Sequence, residues 1–140
     1  MNERQAQMTG LFACSIDSRV EAIDAFCQEV KKAAAALLTK DILFQFELML
    51  REFITNAVVH GNRLDPAKKV SIELTTDHKN IKLTLTDEGP GFNWRDVLQQ
   101  ASVPSEKTTH GRGLLIGKLY SNRLEWNESG NGVALWLRIA

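Results

Sequence analysis

The sequence predicts an α+β fold: a two-layer sandwich in which helices cover one face of a mainly antiparallel sheet. Early in the chain, two stretches repeat apolar residues at helical spacing. Later, two pairs of short stretches alternate apolar and polar residues, as half-buried strands joined by turns do. The predicted order of elements is therefore βααββ(α)αββ.

Size and composition narrow the class of protein. We expect the 140 residues to form one domain, 1–140, that starts with a loose tail at 1–9. The 17 basic and 17 acidic residues give no net charge, which disfavours a nucleic-acid partner. No apolar run approaches a membrane span, and the polar start is not a signal peptide. We expect a cytoplasmic protein in which Cys14 and Cys27 are reduced core residues.

The first predicted element along the chain is "LFACSI", residues 11–16. This stretch is short and apolar, which predicts an edge strand. Residues 17–38 repeat apolar side chains at helical intervals. Ser18 and Glu21 have the spacing of a capping box, so we expect Ser18 to cap this helix.

A second helix is predicted from Asp41, a suitable N-cap, to the Gly-Asn pair at 61–62. Its apolar side chains form one stripe. A polar stripe lies roughly opposite, and it contains Gln45, Glu52, Asn56 and His60.

The stretch from residue 68 to residue 89 predicts a β-hairpin. Apolar side chains alternate in both arms: Val70, Ile72 and Leu74 in the first, Ile81, Leu83 and Leu85 in the second. Asp87 shares the phase of the second arm, so its carboxylate is aimed at the apolar face where the strand ends. A buried carboxylate is costly without a partner, so Asp87 needs one.

The rest of the chain predicts a glycine-rich turn at 88–92, a short helix at 93–101, a polar loop at 102–110 and a helix at 111–121. A second hairpin turns at 129–132, and its inward face is formed by Val133, Leu135, Leu137 and Ile139.

The polar stripe of the second helix is an ordinary solvated face if it is considered alone. Asn is a poor residue for a helix interior, however, so Asn56 needs a compensating role. An asparagine oxygen is a hard ligand suited to Mg²⁺. Glu52, one turn earlier on the same face, can accept a proton or orient a water.

Two glycine pairs accompany these residues. Asp87 at its strand end suits an exocyclic amine such as that of adenine, and Gly89 and Gly91 let a flat base approach the backbone. Gly111 and Gly113 precede a predicted helix, whose exposed N–H groups can bind an anion. The pattern is neither the Rossmann fingerprint nor a Walker A loop.

In this order, "ExxxNAxxHG", "DxGxGF" and "GxGL" resemble the N, G1 and G2 boxes of the GHKL ATPase superfamily. The resemblance covers roughly residues 40–140. Within the superfamily, the chain is most similar to the bacterial anti-sigma factor serine/threonine kinases. It is too short for a gyrase, Hsp90 or mismatch-repair ATPase, and it has no room for the phosphoacceptor domain of a histidine kinase.

The resemblance implies roles for individual residues. Glu52 matches the general base, Asn56 the Mg²⁺ ligand and Asp87 the residue that recognises adenine, while residues 102–110 match the ATP lid. The remaining matches contact the nucleotide; they are Gly89, Gly91, Gly111, Gly113 and Leu114, with Lys107, Thr109 and Arg112 as further phosphate contacts. We expect His60 to finish its helix rather than to do chemistry, and His110 to lie on the lid surface.

The implied cofactors are ATP and Mg²⁺, and the implied substrate is a serine or threonine of an anti-sigma antagonist with the STAS fold. The same chain would alternately hold a sigma factor or another regulator. The resemblance also implies a homodimer that uses the N-terminal strand and helix.

Three alternatives remain open at this point. The chain is a nucleotide-gated binding module without phosphotransfer, a detached catalytic domain that phosphorylates a histidine, or an α+β domain that binds no nucleotide. Glu52 argues against the first alternative, and the three ordered motifs argue against the last.

Overall fold

A computed structural model describes residues 9–77, 79–91 and 123–139. In these ranges, two α-helices, a short π-helical turn and five strands follow one another. Their bounds are β1 Thr9–Asp17, α1 Val20–Ala35, α2 Lys40–Thr55, the π turn Asn56–Gly61, β2 Lys69–Thr76, β3 Asn80–Thr86, β4 Arg123–Trp126 and β5 Gly132–Arg138.

The strands form one sheet in the order β1-β2-β3-β5-β4. Every pair of neighbours is antiparallel, and β1 is an edge strand whose register shifts between Gly10 and Phe12. The predicted α+β class, the edge strand and both hairpins are therefore confirmed.

The core lies between one face of the sheet and the two helices. Alternation along β2, β3 and β5 sends every second side chain inward, and these inward residues are Val70, Ile72, Leu74, Ile81, Leu83, Leu85, Val133, Leu135 and Leu137. The helices cover them with one face each, centred on Phe26 and Val30 in α1 and on Phe46 and Leu50 in α2. Burial of each large apolar side chain stabilises the fold by about 1.5–3 kcal/mol.

The start of α1 differs from the prediction. The helix begins at Val20 after Arg19, which makes no side-chain cap. Ser18 instead donates its hydroxyl to the Lys68 carbonyl at 2.8 Å and accepts a bond from Asn62 Nδ2 at 2.8 Å. The capping-box prediction is wrong because partners distant in the chain bind this hydroxyl.

The start of α2 is also shifted. Thr39 is the N-cap, and its hydroxyl accepts a bond from the Ile42 N–H at 3.3 Å. The predicted cap, Asp41, lies in the first turn, where a negative charge suits the helix dipole. At the other end, the π turn continues the helix to Gly61, which confirms the predicted end.

The two cysteines differ in exposure. Cys27 is buried in the core, and burial raises the pKa of its thiol to about 11. Cys14 is exposed, so the expectation that both are core residues is wrong for Cys14. Cys14 is exposed because it lies on β1, an edge strand that has a neighbouring strand on one side only.

Several predicted elements lie outside the described residues: positions 1–8 of the tail predicted at 1–9, the helices at 93–101 and 111–121 and the loop at 102–110. The last position of the predicted tail, Thr9, is instead the first residue of β1. Within the described ranges, no helix is long and apolar enough to cross a membrane.

Candidate functional site

A cleft of about 440 Å³ lies between the end of α2 and the part of the sheet formed by β3, β5 and β4. One side, here named the helix wall, consists of Phe53, Asn56, Ala57, His60 and Gly61. The other side is formed by Leu85, Asp87, Gly91, Trp126, Gly130, Asn131 and Val133.

The segment Asp87–Gly91, here named the Asp87 turn, brings a carboxylate into the cleft. Burial raises the pKa of Asp87, while a hydrogen bond from the Gly89 N–H and the charge of Lys68 oppose that rise. The Gly89 bond is 2.8 Å long. Every second side chain of β3 is buried, and Asp87 continues this alternation just after the strand. It lines the cleft together with Leu85 and Val133, which confirms the prediction that it turns toward the apolar face.

Three glycines allow the Asp87 turn to pack closely on its neighbours. A Cβ added at Gly61 would lie 2.4 Å from Asp87 Oδ2, and one added at Gly89 would lie 2.0 Å from the Gly61 carbonyl oxygen. Gly91 has a φ of +80°, and a Cβ there would lie 1.7 Å from the Ser129 carbonyl oxygen. Side chains at these positions would therefore displace backbone or the carboxylate.

Asn56 is the buried polar residue of the helix wall, with 6 % of its surface exposed. Its backbone N–H is shared between the carbonyls of Glu52 and Phe53 where the α-helix widens into the π turn. Its side-chain Oδ1 is buried and finds no hydrogen-bond partner among the residues that the structure describes. A hard oxygen held in this way fits a Mg²⁺ ion, which takes few protein ligands and keeps most of its waters.

A family model described as "Histidine kinase-like ATPase domain" matches residues 16–139. The chain belongs to this family. The resemblance drawn from the three sequence motifs is thereby confirmed.

Several curated proteins that are similar to this ATPase domain are named Anti-sigma F factor. The Anti-sigma F factor of Geobacillus stearothermophilus is 38 % identical over 105 residues, which cover 73 % of this chain and 72 % of that protein. The Anti-sigma F factor of Oceanobacillus iheyensis is 29 % identical over 89 residues, or 62 % of this chain. The chain spans 61 % of the length of that second relative.

Among solved structures, the mycobacterial sensor histidine kinase MprB aligns with a TM-score of 0.49 and 16 % identity. The alignment covers 91 % of this ATPase domain and 97 % of that chain.

The cleft of the ATPase domain brings together three of the predicted site residues: Asn56, Asp87 and Gly91. Glu52 lies one helical turn before Asn56, is partly exposed and has its Oε2 atom buried, but it is not part of the cleft lining. Gly89 lies next to the cleft in the Asp87 turn but is not part of its lining. The remaining predicted nucleotide contacts lie outside the described residues; they are Lys107, Thr109, Gly111, Arg112, Gly113 and Leu114.

Three features of the ATPase domain were not predicted from its sequence. Gly61 was predicted only as a helix stop, and His60 only as a residue of the helix end, yet both line the cleft. Trp126 also lines it, with its ring centroid 5.9 Å from that of Phe53. The alternation of "RLEW" placed Trp126 on the same face as Leu124, and this signal was available in the sequence.

Proposed function

We propose that this chain is an ATP-dependent serine/threonine protein kinase that acts as an anti-sigma factor or related partner-switching regulator. Its substrate would be an antagonist protein of the STAS fold, and the whole chain, 1–140, would act as one kinase domain. Family membership and the relatives named Anti-sigma F factor support this proposal. The observation that carries it is a cleft lined by both Asp87, a half-buried carboxylate, and Asn56, whose buried amide oxygen has no hydrogen-bond partner among the described residues.

The Asp87 end of the cleft suits an adenine base. The carboxylate of Asp87 can accept a hydrogen bond from the exocyclic amine of the base, while Leu85, Val133 and Phe53 provide apolar surface for the ring. Gly61 and Gly91 line the cleft with main chain rather than with a side chain.

The helix wall suits the phosphates. Asn56 would hold Mg²⁺ through Oδ1, and a bound Mg²⁺ neutralises charge on phosphate oxygens. Glu52 would take the proton of the attacking serine or threonine hydroxyl as its oxygen bonds to the γ-phosphorus. The bond from that phosphorus to the bridging oxygen breaks, and ADP leaves. Such a transfer depends mainly on positioning and on electrostatic stabilisation.

A sigma factor, or another regulator, and the antagonist would compete for one surface of this chain, and this competition would regulate the first partner. The chain would hold a sigma factor or another regulator when it is bound to one nucleotide, and would release it when the antagonist binds. A homodimer is part of the same proposal. The relatives' shared name supports the regulatory role, and the kinase step supplies the switch.

The test is incubation with labelled ATP, Mg²⁺ and STAS proteins of the same genome. We expect label on a partner serine or threonine, and no transfer from Glu52→Ala although its ATP affinity stays within about threefold of the wild-type value. Glu47→Ala is the matched control, since Glu47 lies on the same helix but pairs with Lys31 at 2.8 Å on the surface. This control should transfer phosphate normally.

Other outcomes of this assay point to other functions. Tight ATP binding with no transfer to any partner would indicate a nucleotide-gated binding module. Acid-labile, base-stable label would indicate transfer to histidine. No binding of adenine nucleotide at millimolar concentration would make the entire proposal wrong.

A further inference from the structure

Asn62, immediately after the π turn, is only 1 % exposed, and each polar atom of its side chain has a partner. Its Nδ2 donates to Ser18 Oγ at 2.8 Å and to the Lys69 carbonyl at 2.9 Å. Its Oδ1 accepts a bond from the Glu88 N–H at 2.7 Å. These partners lie at the β1–α1 junction, at the start of β2 and just after β3, so one side chain joins three segments.

The network continues through Ser18, which is also 1 % exposed and donates to the Lys68 carbonyl at 2.8 Å. Both hydrogens of the Asn62 amide and its oxygen are used, so only a side chain with two donors and an acceptor satisfies this site. Fully bonded networks of this kind rigidify their surroundings because an unpaired member would be costly.

The Glu88 N–H that Asn62 holds belongs to the peptide group that follows Asp87. The carboxylate of Asp87 packs on Gly61, the residue before Asn62. From the other side, the Asp87 N–H donates to the Asn131 carbonyl at 2.9 Å, and Asn131 Nδ2 lies 3.2 Å from the Asp87 carbonyl. The main chain at Asp87 is thus held on two sides, and Asn62 supplies the attachment to the helix wall.

We propose that Asn62 is a positioning residue for nucleotide recognition: it fixes the direction of the Asp87 carboxylate without lining the cleft itself. This inference rests on the proposed function, in which that carboxylate binds the exocyclic amine of adenine. A hydrogen bond depends steeply on distance and angle, so a turn detached from Asn62 keeps the carboxylate but loses the alignment. The loss should affect ligands that carry the amine and spare those that do not.

The experiment compares ATP with purine riboside triphosphate, which differs by the absence of the 6-amino group. Calorimetric Kd values for both ligands give a preference ratio for each variant of the full chain. We expect the wild type to prefer ATP by about tenfold or more, the strength of a hydrogen bond to a charged group. In Asn62→Ala the ratio should fall toward one, while the Kd for purine riboside triphosphate changes little.

Ser18→Ala is the matched control because it removes the far end of the same network and leaves the Asn62–Glu88 bond in place. It should lower stability yet keep the wild-type preference ratio. If Asn62→Ala does not fold, Asn62→Ser is the second variant, since a hydroxyl and a water can serve the other partners of the amide. The same fall in ratio is expected for it.

The outcomes separate two kinds of failure. A wild-type preference that survives in the Asn62 variants, or an equal loss of affinity for both ligands, overturns the positioning role alone. A wild type that binds both ligands equally, or an Asp87→Ala variant that retains the ATP preference, overturns the assignment of Asp87 and the inference with it.

Discussion

The two sides of the cleft differ in how their polar groups are satisfied. The polar groups of the Asp87 turn bond to one another and to Asn62 and Asn131, at distances between 2.7 and 3.4 Å. On the helix wall, Asn56 Oδ1 is buried and has no hydrogen-bond partner among the described residues.

Under the proposed function, contacts within the protein hold the Asp87 turn in place, and the ligand would supply the bond to Asn56 Oδ1. A turn that is fixed before binding reduces the entropy lost on binding. A buried oxygen without a partner costs the free protein about 1–3 kcal/mol, and a ligand that bonds to it recovers that cost.

The largest loss of stability is expected from a substitution at Gly61, where the helix wall contacts the Asp87 turn. Gly61→Ala places a Cβ against the Asp87 carboxylate, so the turn or the helix end must move. We expect the free energy of unfolding to fall by about 1–3 kcal/mol, measured by urea denaturation, together with a loss of ATP affinity. Gly10→Ala is the control, because nothing lies within 4 Å of an added Cβ there. Equal stability of Gly61→Ala and Gly10→Ala would mean that the turn is not tightly packed.

A smaller effect on stability is expected from Asn56→Ala, which removes a buried oxygen that makes no hydrogen bond in the described structure. The free energy of unfolding should stay within about 1 kcal/mol of wild type, whereas Asn62→Ala should lose about 2 kcal/mol. ATP titrations with and without Mg²⁺ should show that Asn56→Ala has lost the contribution of the metal. Strong destabilisation by Asn56→Ala would instead indicate a structural role for this amide.

For Asp87→Asn, stability at neutral pH should be unchanged or higher, although ATP binding weakens. Because burial raises the folded pKa of Asp87 above 3.8, the folded state binds this proton at higher pH than the unfolded state does. Its contribution to stability is present below pH 3.8 and is lost as the pH rises through the folded pKa. Urea denaturation at a series of pH values should therefore show a steeper loss of stability with rising pH in this window for wild type than for Asp87→Asn. Identical pH profiles would rule out this effect of burial on Asp87.

Local patterns predicted much of this fold. The direction of Asp87 followed from alternation along β3, since side chains of a strand change face at every residue. The end of the second helix at Gly61 followed from a local stop signal. Both features are determined by residues adjacent in the chain, so the sequence pattern alone is sufficient to predict them.

Features that depend on distant partners were predicted wrongly or missed. Ser18 has capping spacing, yet its hydroxyl bonds to residues 44 and 50 positions away. Asn62 was predicted only as part of a helix stop, although its oxygen binds the Glu88 N–H, 26 positions away. Cys14 is apolar enough for a core, but its exposure depends on which strand lies at the sheet edge.

The π turn between Asn56 and Gly61 also sets a length requirement on this part of the chain. Each residue of an α-helix turns the chain by about 100°, so deletion of one residue here would rotate everything that follows by that angle. Gly61 would then leave the carboxylate of Asp87, and Asn62 would leave the Glu88 N–H. The number of residues between Glu52 and Asn62 therefore fixes the direction of both contacts. We expect the protein to tolerate substitution of Val58 or Val59 by another apolar residue far better than deletion of either one.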